Sequence, residues 1–285
     1  MPPLILVLAA LGAMAAAQPA AQRVPLDDVR ARLEQEGRVE LPASGLVIER
    51  ANFRIGVSDV EAVMTRPAGE GRKAALLLIP GHSRTALDML PQAIRFARAG
   101  FATMAVSQPG YGGSTGPADF VGPRTFAAIE AAAARLAAQP YVDPIRMGVY
   151  GYSRGALAAA QLATRTDLFK AAVLGGGIYD FRAAYDQIGL EGIRANIAAE
   201  AGLDAEAVRF RSPIHDVKGL DGPVLIIHGA EDANAPVAQA TALAERLKRE
   251  GLTHELLIVP GKGHGLGMDD VVVPAIAFLV RTLQP

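Results

Sequence analysis

With 51% hydrophobic and 20% charged side chains over 285 residues, the chain can bury a sizeable core, which excludes a disordered protein and allows one large α/β domain or two small ones. A formal net charge of −1 without a long basic run argues against nucleic acid as a partner, and 6 Tyr, 9 Phe and no Trp provide no stacking platform for bases. The absence of cysteine removes disulfide and thiol chemistry.

The chain opens on an apolar run, Leu4 to Leu11, followed by small residues with A-x-A-like sites at Ala15-Ala16-Ala17 and Pro19-Ala20-Ala21. Residues 1–21 are therefore expected to be a secretory signal peptide, although the n-region carries no Lys or Arg. The run is short for a membrane span, so the expectation is an exported protein, periplasmic or secreted, with no stable span after processing.

A polar stretch from Gln22 to Ala43 includes a short expected helix, Leu26 to Glu36. Leu46 to Arg50 and Ile55 to Thr65 read as an antiparallel pair of strands. Ala74 to Ile79 is a continuous apolar run ending at Pro80-Gly81, the pattern of a strand buried on both faces. A helix (Ala86 to Ala99), a strand (Phe101 to Val106), a Gly-rich turn (Pro109 to Ser114) and a long helix (Arg124 to Ala138) follow. Next come a strand (Arg146 to Tyr150), a helix (Ala156 to Thr166) and a strand (Ala171 to Leu174). The last elements are Pro223 to Ile227 (strand), Pro236 to Arg249 (helix), His254 to Val259 (strand) and Asp270 to Leu283 (helix). Strands separated by helix-length segments predict an α/β fold, a mostly parallel sheet covered by helices on both faces. Residues 22–285 are expected to be one domain. The segment 178–216 is helix-like but rich in charges and glycines and too long for an ordinary connection, so it reads as a small helical cap over the carboxyl ends of the strands.

Gly151-Tyr152-Ser153-Arg154-Gly155 has the Gly-x-Ser-x-Gly spacing of a nucleophile elbow. In a chain with 30 glycines the pattern alone is weak; the strand before it and the Ala/Leu-rich helix after it give it weight. A serine hydroxyl needs a base beside it and a third group to fix that base, in the chain order serine, acid, histidine. The acid is expected at Asp232, just past a buried strand, with Glu231 as the rival. The base is expected at His264, in the flexible loop Pro260 to Gly265 at the same sheet edge. An oxyanion hole would use the backbone N–H of Arg154 and one from the loop after the early buried strand, with His82 the first choice and Ser83 next. His228 reads as a structural hydrogen-bonder, and His215 and His254 as surface or strand-start residues. The Gly110 to Ser114 turn lacks both the P-loop ending and the dinucleotide spacing, and Asp269-Asp270 reads as helix capping. No His/Cys/Asp cluster has metal spacing, so neither metal nor organic cofactor is expected.

Ser212-Pro213-Ile214-His215-Asp216, leading to Gly222 through Gly229, Asp232, Pro236 and then Pro260 through Gly265, is similar to the end of prolyl-oligopeptidase-like catalytic domains and the related dienelactone-hydrolase-like group. The chain thus resembles the α/β-hydrolase superfamily over nearly its whole mature length. The resemblance implies a Ser153–His264–Asp232 triad, in agreement with the residue-level reading. It departs after the early strand, where the common His-Gly-Gly is replaced by Pro80-Gly81-His82. The segment before Leu46 is too short for the propeller that restricts prolyl oligopeptidases to short peptides. The expected function is a serine hydrolase of small acyl substrates, carboxylic esters foremost. One alternative is a peptidase acting on short peptides, with Arg84, Arg154 or Arg194 holding a terminal carboxylate. The other is a scaffold that only binds a ligand or partner.

Overall fold

The computed structural model describes residues 25–284; the signal-peptide reading of residues 1–21 lies outside them. Among the described residues nine strands form one sheet. In chain order they are β1 (Arg38–Leu41), β2 (Leu46–Arg50), β5 (Ala62–Pro67), β6 (Lys73–Ile79), β7 (Ala102–Val106), β8 (Val142–Tyr152), β9 (Ala171–Gly175), β10 (Val224–Gly229) and β11 (His254–Val259). Two further strands, β3 (Phe53–Ile55) and β4 (Ser58–Val60), make a separate hairpin. The spatial order is β1-β2-β5-β7-β6-β8-β9-β10-β11. The first three pairings are antiparallel, and every pairing from β7 to β11 is parallel.

Alternation along the strands divides the core into two layers. Leu77 of β6 and Val149 of β8 face helices α3 (Pro123–Ala137), α4 (Arg154–Arg165) and α8 (Ala238–Arg249). Leu76, Leu78 and Tyr150 point the other way, to helices α1 (Leu26–Glu36), α2 (Leu90–Arg98) and α9 (Met268–Leu283). Burial on both faces is why β6 and β9 read as unbroken apolar runs. Segment 178–216 holds three short helices, α5 (Phe181–Gln187), α6 (Glu191–Ala201) and α7 (Ala205–Phe210). Asp180 and Asp204 cap the first and third by accepting from the Ala183 and Ala207 amides. No helix among the described residues is long and apolar enough to cross a membrane.

Two segments depart from the sequence reading. The single strand expected over Ile55 to Thr65 is broken: Gly56 takes a left-handed φ of 54° and Val57, 93% exposed, sits at the tip of the β3–β4 hairpin before the chain re-enters the sheet as β5. β-branched residues raise the apparent strand signal here without supplying a buried face. Strand β1 lies in the stretch read as polar, and only Val39 of its four residues is buried.

Arg211, after α7, ties this segment to the body. Its guanidinium donates to the carbonyls of Phe120 (2.7 Å), Asp119 (2.7 Å) and Ala207 (3.0 Å). The Asp119 side chain in turn accepts from the Arg124 amide and the Thr125 hydroxyl at the start of α3. These bonds hold Phe120 and Val121 at φ values of 41° and 59°, costly for non-glycine residues. Replacing Arg211 by Met is expected to lower the unfolding free energy by about 2–4 kcal/mol, because buried carbonyls lose their donors; urea denaturation of the variant beside the wild type measures it.

Candidate active site

β8 ends at Tyr152, and the chain turns at Ser153 with φ 56° and ψ −125° before entering α4. The strain at this non-glycine residue is held in place by its surroundings. The Ser153 amide donates to the Gly175 carbonyl of β9 at 2.7 Å. A Cβ on Gly151 would stand 2.1 Å from the Gly155 carbonyl oxygen, and one on Gly155 would stand 2.1 Å from that of Ile79. Both flanking glycines are thus required by close backbone approach, and the turn lifts the serine hydroxyl off the sheet edge.

The structure brings Ser153, His264 and Asp232 together. Ser153 Oγ lies 2.8 Å from His264 Nε2, and His264 Nδ1 lies 2.8 Å from Asp232 Oδ2. With the carboxylate accepting from Nδ1–H, Nε2 is left as the acceptor for the serine hydroxyl. The Asp232 side chain is 1% exposed. Its other oxygen accepts the amides of Asn234 and Ala235, each at 2.9 Å. His228, fully buried, places Nε2 3.3 Å from Asp232 Oδ2 and donates to the Ala235 carbonyl at 2.7 Å, so it braces the loop that carries the acid. Burial by itself would raise the Asp232 carboxyl, but the nearby His228 ring N–H and the hydrogen bonds from His264 and the Ala235 amide outweigh it and hold the group well below the usual carboxylate range. Glu231 is exposed, its amide bonded to the Lys262 carbonyl, and it has no bond to His264 or Ser153.

Tyr152 was not anticipated as a site residue. Its hydroxyl donates to the His264 carbonyl and accepts the Leu266 amide at 3.1 Å, fixing the imidazole loop from the residue next to the serine. The only sequence signal was its place inside the elbow motif.

The Arg154 amide lies in the first turn of α4, where N–H groups lack intrahelical acceptors. The loop carrying His82 passes beside the serine: a Cβ on Gly81 would lie 3.3 Å from Ser153 Cβ and 3.9 Å from its Oγ. The Arg154 side chain, 3% exposed, bonds Glu200 Oε2 of α6 (3.0 Å) and the Tyr111 hydroxyl (3.0 Å), and lies 3.2 Å from His82 Nδ1. Its guanidinium also stacks 4.4 Å from the Tyr111 ring centroid. Arg154 is therefore engaged and not a free carboxylate binder. Arg194 stacks on Tyr185 at 4.8 Å, and Arg84 is exposed at the rim. The Gly110 to Ser114 turn is a packed loop that delivers Tyr111 to this cluster. Asp270 caps α9 by accepting the Gly267 amide, and Asp269 pairs with Arg95. Among the described residues no cluster of three His, Asp or Glu could hold a metal.

A cavity of about 740 Å³ opens over Ser153 and His264. Its walls include Phe120, Ile188, Ile193 and Ile197 on one side and Met89 and Leu266 elsewhere. The arrangement suits proton transfer from a hydroxyl nucleophile to an imidazole beside a mostly apolar pocket.

Comparisons with known proteins give the family and the fold. A model of the prolyl oligopeptidase family matches residues 119–284, more than half the chain and the part holding Ser153, Asp232 and His264. The uncharacterized peptidase YtmA of Bacillus subtilis is 28% identical over 200 residues, 67% of this chain and 75% of its own length. A puromycin-hydrolyzing peptidase of Mycobacterium tuberculosis superposes with a TM-score of 0.73 at 23% identity, covering 82% of this chain and 39% of its own. Acetyl xylan esterase 1 from Thermoanaerobacterium sp. JW/SL YS485 superposes with a TM-score of 0.69 at 17% identity, covering 90% of this chain and 93% of its own. At such identities the structural matches speak for the fold, which is that of the α/β-hydrolases. The chain spans a fifth or less of the length of several curated relatives and three quarters of YtmA.

Two predictions follow from the site. Since the Asp232 carboxyl is depressed in the folded state, its contribution to stability is complete above the unfolded carboxylate range (about pH 4) and is lost as pH falls through the lower folded value. Denaturation followed from pH 6 to pH 2 should show Asp232→Asn with a shallower loss of stability in acid than the wild type. Tyr152→Phe should lower kcat by about 10- to 100-fold with little change in KM, since it loosens the imidazole and not the pocket; steady-state kinetics on a neutral ester reads the split.

Proposed function

This chain belongs to the prolyl oligopeptidase family and is a serine hydrolase, and from that premise we propose that it cleaves small carboxylic esters through a covalent acyl-enzyme. The observation that carries the proposal is the run of two 2.8 Å contacts from Ser153 through His264 to the buried Asp232, beside a cavity of about 740 Å³. Ser153 Oγ attacks the acyl carbonyl while His264 Nε2 takes its proton. Asp232 holds the imidazole tautomer and supports the imidazolium that forms. The backbone N–H groups of Arg154 and His82 stabilise the oxyanion. His264 returns the proton to the departing alkoxide; a water activated by the same imidazole then cleaves the acyl-enzyme and regenerates the serine.

The second reading keeps this machinery and changes the substrate to short peptides, supported by the family match and by a relative named a peptidase. An amide makes a heavier demand, because its leaving nitrogen must be protonated and the chain terminus positioned. Arg154, one of the cations that could have held a terminal carboxylate, is already paired with Glu200, which favours esters. Export of the protein is proposed on the apolar run Leu4 to Leu11 and the A-x-A-like sites that follow it.

Matched p-nitrophenyl esters and aminoacyl or prolyl p-nitroanilides, assayed with wild type and Ser153→Ala, separate the readings. The expected result is ester turnover that falls by at least about 10³-fold in the variant, with little anilide cleavage. Anilide cleavage rivalling the ester would transfer the protein to the peptidases, and full ester turnover by Ser153→Ala would refute the mechanism.

A further inference from the structure

The ion pair Arg154–Glu200 is not required by acyl transfer, yet its arginine lines the cavity over Ser153 and its glutamate stands on α6, a helix that forms part of the wall. Arg154 lines that cavity with its side chain 3% exposed, and Glu200 lies against it with 14% exposed. Glu200 comes from α6, the same helix that supplies Ile193, Asn196 and Ile197 to the wall. Phe120, another wall residue, lies 5.6 Å from the guanidinium. Every strong bond of the pair is internal: Glu200 Oε2 accepts from Arg154, Glu200 Oε1 accepts the Tyr111 hydroxyl, and Arg154 also reaches Tyr111 and His82.

A buried ion pair is a poor device for stability, since desolvation of both charges offsets their attraction. Here each charge cancels the other, so on the α6 side Arg154 faces the cavity as a compensated cation rather than a free one. A carboxylate or ammonium carried into this lobe would lose its water and find no partner. Resting on the ester-hydrolase reading above, we propose that the Arg154–Glu200 pair is a specificity determinant that admits uncharged acyl groups to the α6 side of the cavity and rejects charged ones. Discrimination of this kind works by leaving the wrong substrate unpaired, as well as by fitting the right one. Arg84 and Asp88 line the cavity from the segment leading into α2, and Asp88 is occupied by Thr85 and Arg30.

The test uses three p-nitrophenyl esters of matched length: methyl succinate (neutral), hemisuccinate (anionic) and 4-(trimethylammonio)butyrate (cationic). The wild type is expected to prefer the neutral ester by at least about tenfold in kcat/KM. Glu200→Gln leaves the Arg154 charge uncompensated, and the ratio of anionic to neutral kcat/KM should rise by at least about tenfold. Arg154→Met should instead raise the cationic-to-neutral ratio, and the double variant Arg154→Met/Glu200→Gln should return both ratios towards the wild-type values. Ratios within one variant are insensitive to general loss of activity, and the two single variants move in opposite directions, which a purely structural role would not produce. If either well-folded single variant keeps the wild-type ratios, or if the wild type prefers the charged esters, the specificity proposal is overturned. Fluorophosphonate labelling of Ser153 in the same samples keeps the two readings apart: intact labelling with unmoved ratios removes only the specificity role. A wild type that neither labels nor turns over any of the three esters removes both.

Discussion

The left-handed backbone at Ser153 is the constraint on which the rest of the site depends. A serine at φ 56° is unfavourable in isolation and persists only because its neighbours leave it no alternative. Its amide is fixed to β9 through the Gly175 carbonyl, and the start of α4 is pressed so close to β6 that position 155 has no room for a side chain. Both contacts require β8 to lie between β6 and β9, which the sheet order supplies. The strain at one residue is thus sustained by the packing of the central sheet.

Parallel pairing then brings the other two groups to the same edge. β9, β10 and β11 run in register beside β8, so the loops leaving β10 and β11 open at the end where the serine emerges. Asp232 follows the first and His264 the second. A Cβ on Gly229 would lie 2.3 Å from the Gly263 carbonyl oxygen, so the acid and base loops can pack together only with glycine there. Around Asp232, two amides and the His264 imidazole bond a carboxylate that is almost wholly buried, and His228 Nε2 lies 3.3 Å from it. From the other side, the Tyr152 hydroxyl joins the elbow directly to the backbone of the histidine loop. The Ser153–His264–Asp232 geometry is therefore over-determined, as a site needs if its contacts are to be ready before substrate arrives.

Much of this was legible in the chain because its signals are local. An apolar run ending in Gly or Pro marks a buried strand, and the residues that line the site lie just beyond such runs at Ser153, Asp232 and His264. What escaped has a different origin. The bonds of Tyr152 to residues 264 and 266, and of Arg154 to Tyr111 and Glu200, span 43 to 114 positions and leave no periodic or spacing signature. The sequence points to an oxyanion amide at Arg154 and, for a peptidase, a carboxylate-binding side chain, whereas that side chain forms the centre of a buried cluster. The β3–β4 hairpin was hidden because Val57 is a strand-forming residue placed at a solvent-facing tip, and β1 because one buried valine among polar neighbours makes no pattern.

The central claim is that Ser153 is the nucleophile. It is tested most directly by titrating the intact protein with a fluorophosphonate while following ester turnover and the mass of the modified peptide. The account predicts one adduct per chain, located on Ser153, with activity falling in proportion to labelling. Activity that survives complete modification of Ser153, or an adduct that forms elsewhere while activity is lost, would contradict it.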